Sequence, residues 1–202
     1  MVLRSLSPAY GGYSIAREDG KVVLIKGAIP GELVEVAVED KRRDYSVASV
    51  VTVLEPSEQR VDPACPVFGR CGGCHLQFIS YERQLALKDE VLADSLTRIA
   101  GLDAAPGTPL AGSQWNYRHR AQFKVGKSGE IGFFRASSRD IITFDSCPLM
   151  KEIINEIFRN LRERQLVQGP GEIHISAGDT PVALIKGSEP DSSLFEAFVE
   201  AC

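Results

Sequence analysis

No run of apolar residues in this chain approaches the roughly 20 needed to cross a bilayer. The first residues, Met1-Val2-Leu3-Arg4-Ser5-Leu6-Ser7-Pro8, have neither the apolar core nor the cleavage site of a secretory leader. Those absences exclude a membrane-spanning reading and point to the cytoplasm, a reducing compartment where structural disulfides are rare. An excess of positive charge is missing too. Lys and Arg number 23 against 27 Asp and Glu, a formal net charge of −4, so the overall balance does not mark a polyanion-binding protein. With 44% hydrophobic and 25% charged residues over 202 positions, the composition is that of an ordinary globular chain of one large or two small domains, expected to be monomeric.

What the chain does have is concentrated locally. Between residues 111 and 150 the bases Arg118, Arg120, Lys124, Lys127, Arg135 and Arg139 outnumber the acids Glu130, Asp140 and Asp145, whereas acids dominate from 151 onward. Cysteine is more concentrated still: Cys65-x5-Cys71-Gly72-Gly73-Cys74 is followed far downstream by Cys147-Pro148. A disulfide framework does not suit a reducing compartment or a chain of this size. A zinc site is served by the Cys71-Gly72-Gly73-Cys74 knuckle, because paired glycines let backbone amides turn toward thiolates. Zinc ribbons usually bring two such knuckles, however, and Cys147 stands alone. Three crowded cysteines plus a remote Cys-Pro follow the layout of iron–sulfur sites, so that reading leads, with zinc and unligated thiols as alternatives. Cys202 has no partner motif and reads as a spare thiol.

The first sixty residues alternate β-branched runs with glycine and charged turns. Strands are expected at Tyr13 to Ile15, Val22 to Ile25, Leu33 to Val38 and Val47 to Leu54, suiting a small closed barrel of OB type. Lys41, Arg42, Arg43 and Tyr45 set three cations beside an aromatic, the composition of a single-stranded nucleic-acid contact. A solvated hairpin tip bracketed by Asp40 and Asp44 explains the same residues. A helix is expected from Ser80 to Ala100, with Ser80 as N-cap, Gly101 as terminator, and Tyr81, Leu85, Val91, Leu92, Leu96 and Ile99 on its apolar side. Further strands are expected at Arg120 to Val125, Glu130 to Phe134, Ile141 to Phe144, Glu172 to Ser176 and Val182 to Lys186. A second helix at Met150 to Arg164 places Ile153, Ile154, Ile157, Phe158 and Leu161 on one stripe, and Ser192 to Cys202 begins a third.

Gly11-Gly12-Tyr13-Ser14-Ile15-Ala16-Arg17 and Ile25-Lys26-Gly27-Ala28-Ile29-Pro30-Gly31-Glu32 resemble a TRAM domain, the small barrel fused to several RNA-modifying enzymes. Arg60 to Gln77, with its cysteines, resembles the cluster segment of the iron–sulfur RNA uracil-5-methyltransferases, which make 5-methyluridine. So do Asn116-Tyr117-Arg118-His119-Arg120-Ala121-Gln122-Phe123 and Asp145-Ser146-Cys147-Pro148-Leu149. Radical-S-adenosylmethionine methylthiotransferases also carry TRAM modules, but their Cys-x3-Cys-x2-Cys spacing is absent. The resemblance implies mixed β and α+β architecture: an OB-like TRAM β-barrel at 1–60, then an α+β cluster-bearing central domain at 61–202 that includes the helix at 80–100. It also implies a 4Fe-4S cluster on Cys65, Cys71, Cys74 and Cys147, and RNA as partner, ribosomal ahead of transfer RNA. Arg118, His119, Arg120 and Lys124 join the 41–45 strip as candidate RNA contacts.

Family members continue into a Rossmann-like domain that holds S-adenosylmethionine and a nucleophilic cysteine. Neither a Gly-x-Gly turn after a strand nor a Cys-Asn-Pro segment occurs here. No catalytic residue is therefore expected, and S-adenosylmethionine is expected only in a full-length enzyme. A stand-alone RNA-binding module with a structural metal and a zinc-stabilised interaction domain are the alternative functions.

Overall fold

A computed structural model describes residues 1–187, 189, 190 and 193. The chain divides into two compact units. One comprises Met1–Pro63 with His75–Ala111, the other Ala64–Cys74 with Gly112 onward. No helix among the described residues is long and apolar enough to cross a membrane.

The first unit is built on β1 (Val2–Arg4), β2 (Ser7–Ala9), β3 (Tyr13–Glu18), β4 (Lys21–Lys26), β5 (Leu33–Lys41) and β6 (Tyr45–Glu55). They form one sheet in the order β1-β5-β6-β4-β3-β2, antiparallel except for the β4–β6 pair. β1 and β2 are successive pieces of one segment that changes partner midway: Ser5 N–H donates to the Glu32 carbonyl at 2.9 Å, and Leu6 N–H to the Ile15 carbonyl at 2.7 Å. The sheet therefore curls into a half-barrel rather than closing through a continuous ladder. Both strands are too short to show an alternation in sequence. The period-2 pattern of β5 puts Val34 and Val36 in the core with Ala16, Val23, Ile25 and Ala48. Val38 then emerges to 42% exposure, next to a register shift against β6.

Glu32 fixes the base of this unit. Only 1% exposed, its carboxylate accepts from Ile29 N–H at 2.8 Å, Ser57 N–H at 3.0 Å and the Arg60 guanidinium at 2.6 and 2.8 Å. Arg60 also donates to the Gly27 carbonyl and lies over the Phe78 ring, 4.7 Å from its centroid. Burial pushes the Glu32 carboxyl up, but the bonds from Arg60, Ile29 and Ser57 outweigh it and hold the group below the usual carboxylate value.

α1 (Tyr81–Arg98) completes the unit, so the helix expected within the cysteine-bearing domain lies with the barrel strands instead. Ser80 occupies the N-cap position, but its hydroxyl donates to Gln59 Oε1 at 2.6 Å and does not cap the helix. Gly101 adopts a φ of +65° and returns the Leu102 N–H to the Leu96 carbonyl at 2.9 Å. The buried residue of the helix is Leu87, which the expected stripe omitted; Leu92 and Ile99, which it included, are exposed.

The second unit contains β7 (Arg120–Val125), β8 (Ile131–Phe134), β9 (Ile141–Ile142), α2 (Glu152–Glu163), β10 (Val167–Gln168), β11 (Gly171–Ala177), β12 (Pro181–Lys186) and β13 (Glu189–Pro190). β12-β11-β7-β8-β9 is an antiparallel sheet, and β10 pairs with β13. α2 buries Ile154, Ile157, Phe158 and Leu161, matching its expected stripe. Phe123 stacks between Phe133 and Phe158 at centroid distances of 5.2 and 4.5 Å, and Phe144 lies 4.8 Å from Phe158. This four-ring stack contributes packing beyond its buried area. The helix expected from Ser192 to Cys202 and the spare thiol Cys202 lie outside the described residues, Ser193 apart.

Replacing Glu32 by Ala strands a guanidinium and two N–H groups, so unfolding free energy should fall by about 3–5 kcal/mol. Because the folded pKa lies below the ordinary value, the carboxylate stabilises the fold above its unfolded pKa and loses that effect as pH falls through the folded one. Urea midpoints measured from pH 7 down to pH 3 should therefore converge for wild type and Glu32→Gln. Parallel curves would contradict the assignment.

Candidate functional site

The cysteine-rich loop is tied down by its backbone. Phe68 N–H donates to the Cys65 carbonyl at 3.1 Å, while the N–H groups of Arg70 and Cys71 both donate to the Val67 carbonyl, winding a tight turn around the buried Val67 side chain. The loop then attaches to β8. Gly72 N–H donates to the Phe134 carbonyl at 3.0 Å, Ala136 N–H to the Arg70 carbonyl at 3.1 Å, and Cys71 forms an antiparallel bridge with Arg135. A Cβ on Gly72 would sit 3.3 Å from the Phe134 carbonyl oxygen and 3.4 Å from the Ala136 backbone, so glycine permits this close approach.

Cys147 is held from another direction. Its N–H donates to Asn155 Oδ1 at 2.9 Å, and Asn155 Nδ2–H donates to the Cys147 carbonyl at 3.2 Å, which also accepts from Met150 N–H. Asn155 is a buried polar residue on α2, and the sequence reading missed it. The available signal was its place between Ile154 and Phe158, on the flank of the buried stripe.

Cys65, Cys71, Cys74 and Cys147 are thiols, not disulfides, and all belong to the second unit. Burial pushes the Cys71 and Cys147 thiols up; the nearby Cys65 sulfur adds to this in both. Opposing it are N–H groups directed at sulfur, from Gly73 to Cys71 and from Leu149 and Met150 to Cys147. The Arg118 guanidinium also favours the thiolate at both sites. Thus Cys65 lies within electrostatic reach of both Cys71 and Cys147. No group of three or more His, Cys, Asp or Glu among the described residues is placed to hold a metal ion as the side chains stand.

The expected RNA contacts divide between the units. Lys41, Arg42, Arg43 and Tyr45 are exposed at the β5–β6 hairpin tip, where Arg42 pairs with Asp40 at 2.7 Å and Arg43 lies 4.0 Å from Asp44. In the second unit, Arg118 is exposed, its guanidinium 6.0 Å from the Phe133 centroid, and its Nε donates to the Arg120 carbonyl. His119 Nδ1 lies 3.2 Å from the Ala177 carbonyl, whose own N–H returns a bond to the His119 carbonyl. Arg120 projects from the open face of β7. Lys124, on the same face, has a side chain only 18% exposed and ion-paired with Glu172. That bond, with others from His174 and Gln122, holds the Glu172 carboxyl down at about 2. The charge of Lys124 is therefore largely spent within the protein.

Residues 5–51 match the TRAM domain family. An uncharacterized RNA methyltransferase of Aquifex aeolicus is 37% identical over 174 residues, covering 85% of this chain and 41% of that protein. The 23S rRNA (uracil(1939)-C(5))-methyltransferase RlmD of Thiobacillus denitrificans is 33% identical over 215 residues, covering 99% of this chain and 50% of that protein. The corresponding Methylococcus capsulatus protein is 35% identical over 189 residues, covering 88% and 42%. Among solved structures, Pyrococcus abyssi tRNA (uracil-54, C5)-methyltransferase in complex with S-adenosyl-L-homocysteine matches with a TM-score of 0.64 at 19% identity, over 97% of this chain and 48% of that one; the fold is shared. The chain spans about half the length of the curated relatives it matches.

Asn155→Ala leaves the Cys147 N–H without its acceptor, and stability should fall by about 1–3 kcal/mol. Hydrogen exchange at the Cys147 amide should accelerate, and Asn155→Asp, which keeps the acceptor, should retain part of the protection. Unchanged exchange in Asn155→Ala would contradict the role given to this side chain.

Proposed function

We propose, from the premise that this chain carries a TRAM domain at residues 5–51 and is homologous over most of its length to 23S rRNA uracil-C5-methyltransferases, that it is the RNA-holding part of an enzyme methylating carbon 5 of a uridine, with ribosomal RNA as substrate. The observation that carries this reading is an alignment running through 99% of the chain. S-adenosylmethionine is the methyl donor of such an enzyme, and its site is assigned to the length of the relatives that this chain does not span. Chemistry on a base requires that base to leave its stack, at a cost of a few kcal/mol. Contacts elsewhere on the RNA must offset that cost, and these two units are their source.

We further assign a 4Fe-4S cluster to Cys65, Cys71, Cys74 and Cys147. Four thiols on one unit suit iron–sulfur ligation, and N–H groups directed at the sulfurs of Cys71 and Cys147 offset part of the burial that pushes both thiols up. Arg118 offsets part of the accumulated negative charge, so its expected role as a phosphate contact gives way to this one. When bound, the cluster supplies a cross-link between the 65–74 loop and the Cys147 turn, restricting the unfolded chain by about 4 kcal/mol in the loop-closure picture.

Lys41 and Arg43 at the hairpin tip, with Tyr45 beside them, and Arg120 on the sheet face carry the RNA contacts in this reading. His119, tied to Ala177, and Arg42, tied to Asp40, contribute less.

Binding of a labelled single-stranded RNA should weaken with salt, each phosphate contact adding about 0.7 to the log–log slope. Lys41→Gln with Arg43→Gln should flatten the slope by roughly 1.4, while Lys124→Gln should leave it nearly unchanged. A chain that binds no RNA at low salt would overturn the functional reading. Purified without oxygen, the wild type should be brown with about four irons per chain, as a 4Fe-4S centre requires, and Cys147→Ser should lose both colour and stability. A colourless wild type after iron and sulfide reconstitution would remove the cluster and leave the RNA reading standing.

A further inference from the structure

We propose that a cleft of about 480 Å³ between the β2–β3 hairpin and α1 receives an unpaired RNA base, with Tyr10 as the stacking surface and Lys88 as the phosphate contact. The proposal rests on RNA being the partner and names a site for it that is separate from the hairpin tip and the β7 face. All lining residues belong to the first unit.

The cleft exists because α1 is under-packed. Eighteen residues long, it fully buries Leu87 alone, and Val91 and Leu92 face the opening, Leu92 at 49% exposure. Across from them the hairpin turns through Gly11 and Gly12, whose φ values of +84° and +82° favour glycine. A Cβ on Gly12 would come within 2.9 Å of the His75 Cβ, so the turn lies tight against the segment following Cys74. Tyr10 is thereby left at the mouth of the cleft, 90% exposed, with Tyr13 forming part of the wall behind it.

The chemistry of the lining selects the occupant. Its volume falls within the range of small-molecule sites, about 300–1,000 Å³, enough for a nucleotide-sized group. The walls are apolar, an aromatic ring stands free at the rim, and Lys88 is the sole charged side chain among the described lining residues. Among the described residues Lys88 forms no ion pair, whereas its helix neighbours Arg83 and Arg98 are paired with Glu90 and Asp94. A base offers a flat face for Tyr10 and an apolar body for the cleft, and its phosphate meets an uncommitted cation. An apolar protein segment would use the walls but leave the lysine without a counterpart.

The test uses the whole chain and a 5′-fluorescein-labelled uridine decamer, read by anisotropy over a series of salt concentrations. Tyr10→Ala should weaken binding about tenfold, within the range for loss of one stacked base, leave the salt slope unaltered, and be restored by Tyr10→Phe. Lys88→Gln should reduce the slope by about 0.7, the share of one phosphate. Tyr10 is exposed, so circular dichroism should show an unchanged fold. Wild-type binding with both variants indistinguishable from it would overturn the cleft assignment alone. Absence of wild-type binding would overturn it together with the RNA reading.

Discussion

The backbone anchoring of two remote cysteine segments is the constraint on which the second unit depends. Thiolates repel one another, and nothing in a thiol side chain draws four of them together. Here each segment is held by its own backbone bonds: the loop after Cys65 is bonded to β8 through Gly72 and Ala136, and the Cys147 turn is clamped at N–H and carbonyl by Asn155. Phe123, Phe133, Phe144 and Phe158 stack in the apolar core against which Cys65, Cys71 and Cys147 also pack. For the proposed cluster, this frame supplies two ligand segments whose backbones are already held by protein bonds.

In each unit a buried polar side chain gathers irregular backbone. Glu32 gathers the Ile29 turn, Ser57 and Arg60 in the first, as Asn155 gathers the Cys147 turn in the second. Both sit where irregular chain would otherwise bury unpaired N–H groups, each at a cost comparable to a lost hydrogen bond. Surface cations follow a complementary division. Some, such as Lys124 and Arg42, are paired with neighbouring carboxylates, while Lys41, Lys88 and Arg120 form no ion pair among the described residues.

Periodicity made the regular elements legible. The strands from Tyr13 to Leu54, the sheet strands from Arg120 onward and the α2 stripe lie where alternation and three-to-four spacing put them. Strands β1 and β2 escaped because three residues carry no pattern and their pairing depends on a partner change at Ser5–Leu6. α1 was recognised, but its buried side was not: the helix packs so little that Leu87 dominates. Of the candidate site, the cysteines announced themselves by spacing. The neutralisation of Lys124 by Glu172 and the position of Arg118 beside the thiols depend on cross-strand register and loop packing, which no local window contains.

The central claim is that the four sulfurs surround iron. Diffraction from anaerobically grown crystals on either side of the iron absorption edge measures this most directly. The account predicts a compact four-iron anomalous peak bounded by the Sγ atoms of Cys65, Cys71, Cys74 and Cys147. A peak only at the zinc edge, or an iron peak that the Cys147 sulfur does not touch, would contradict it.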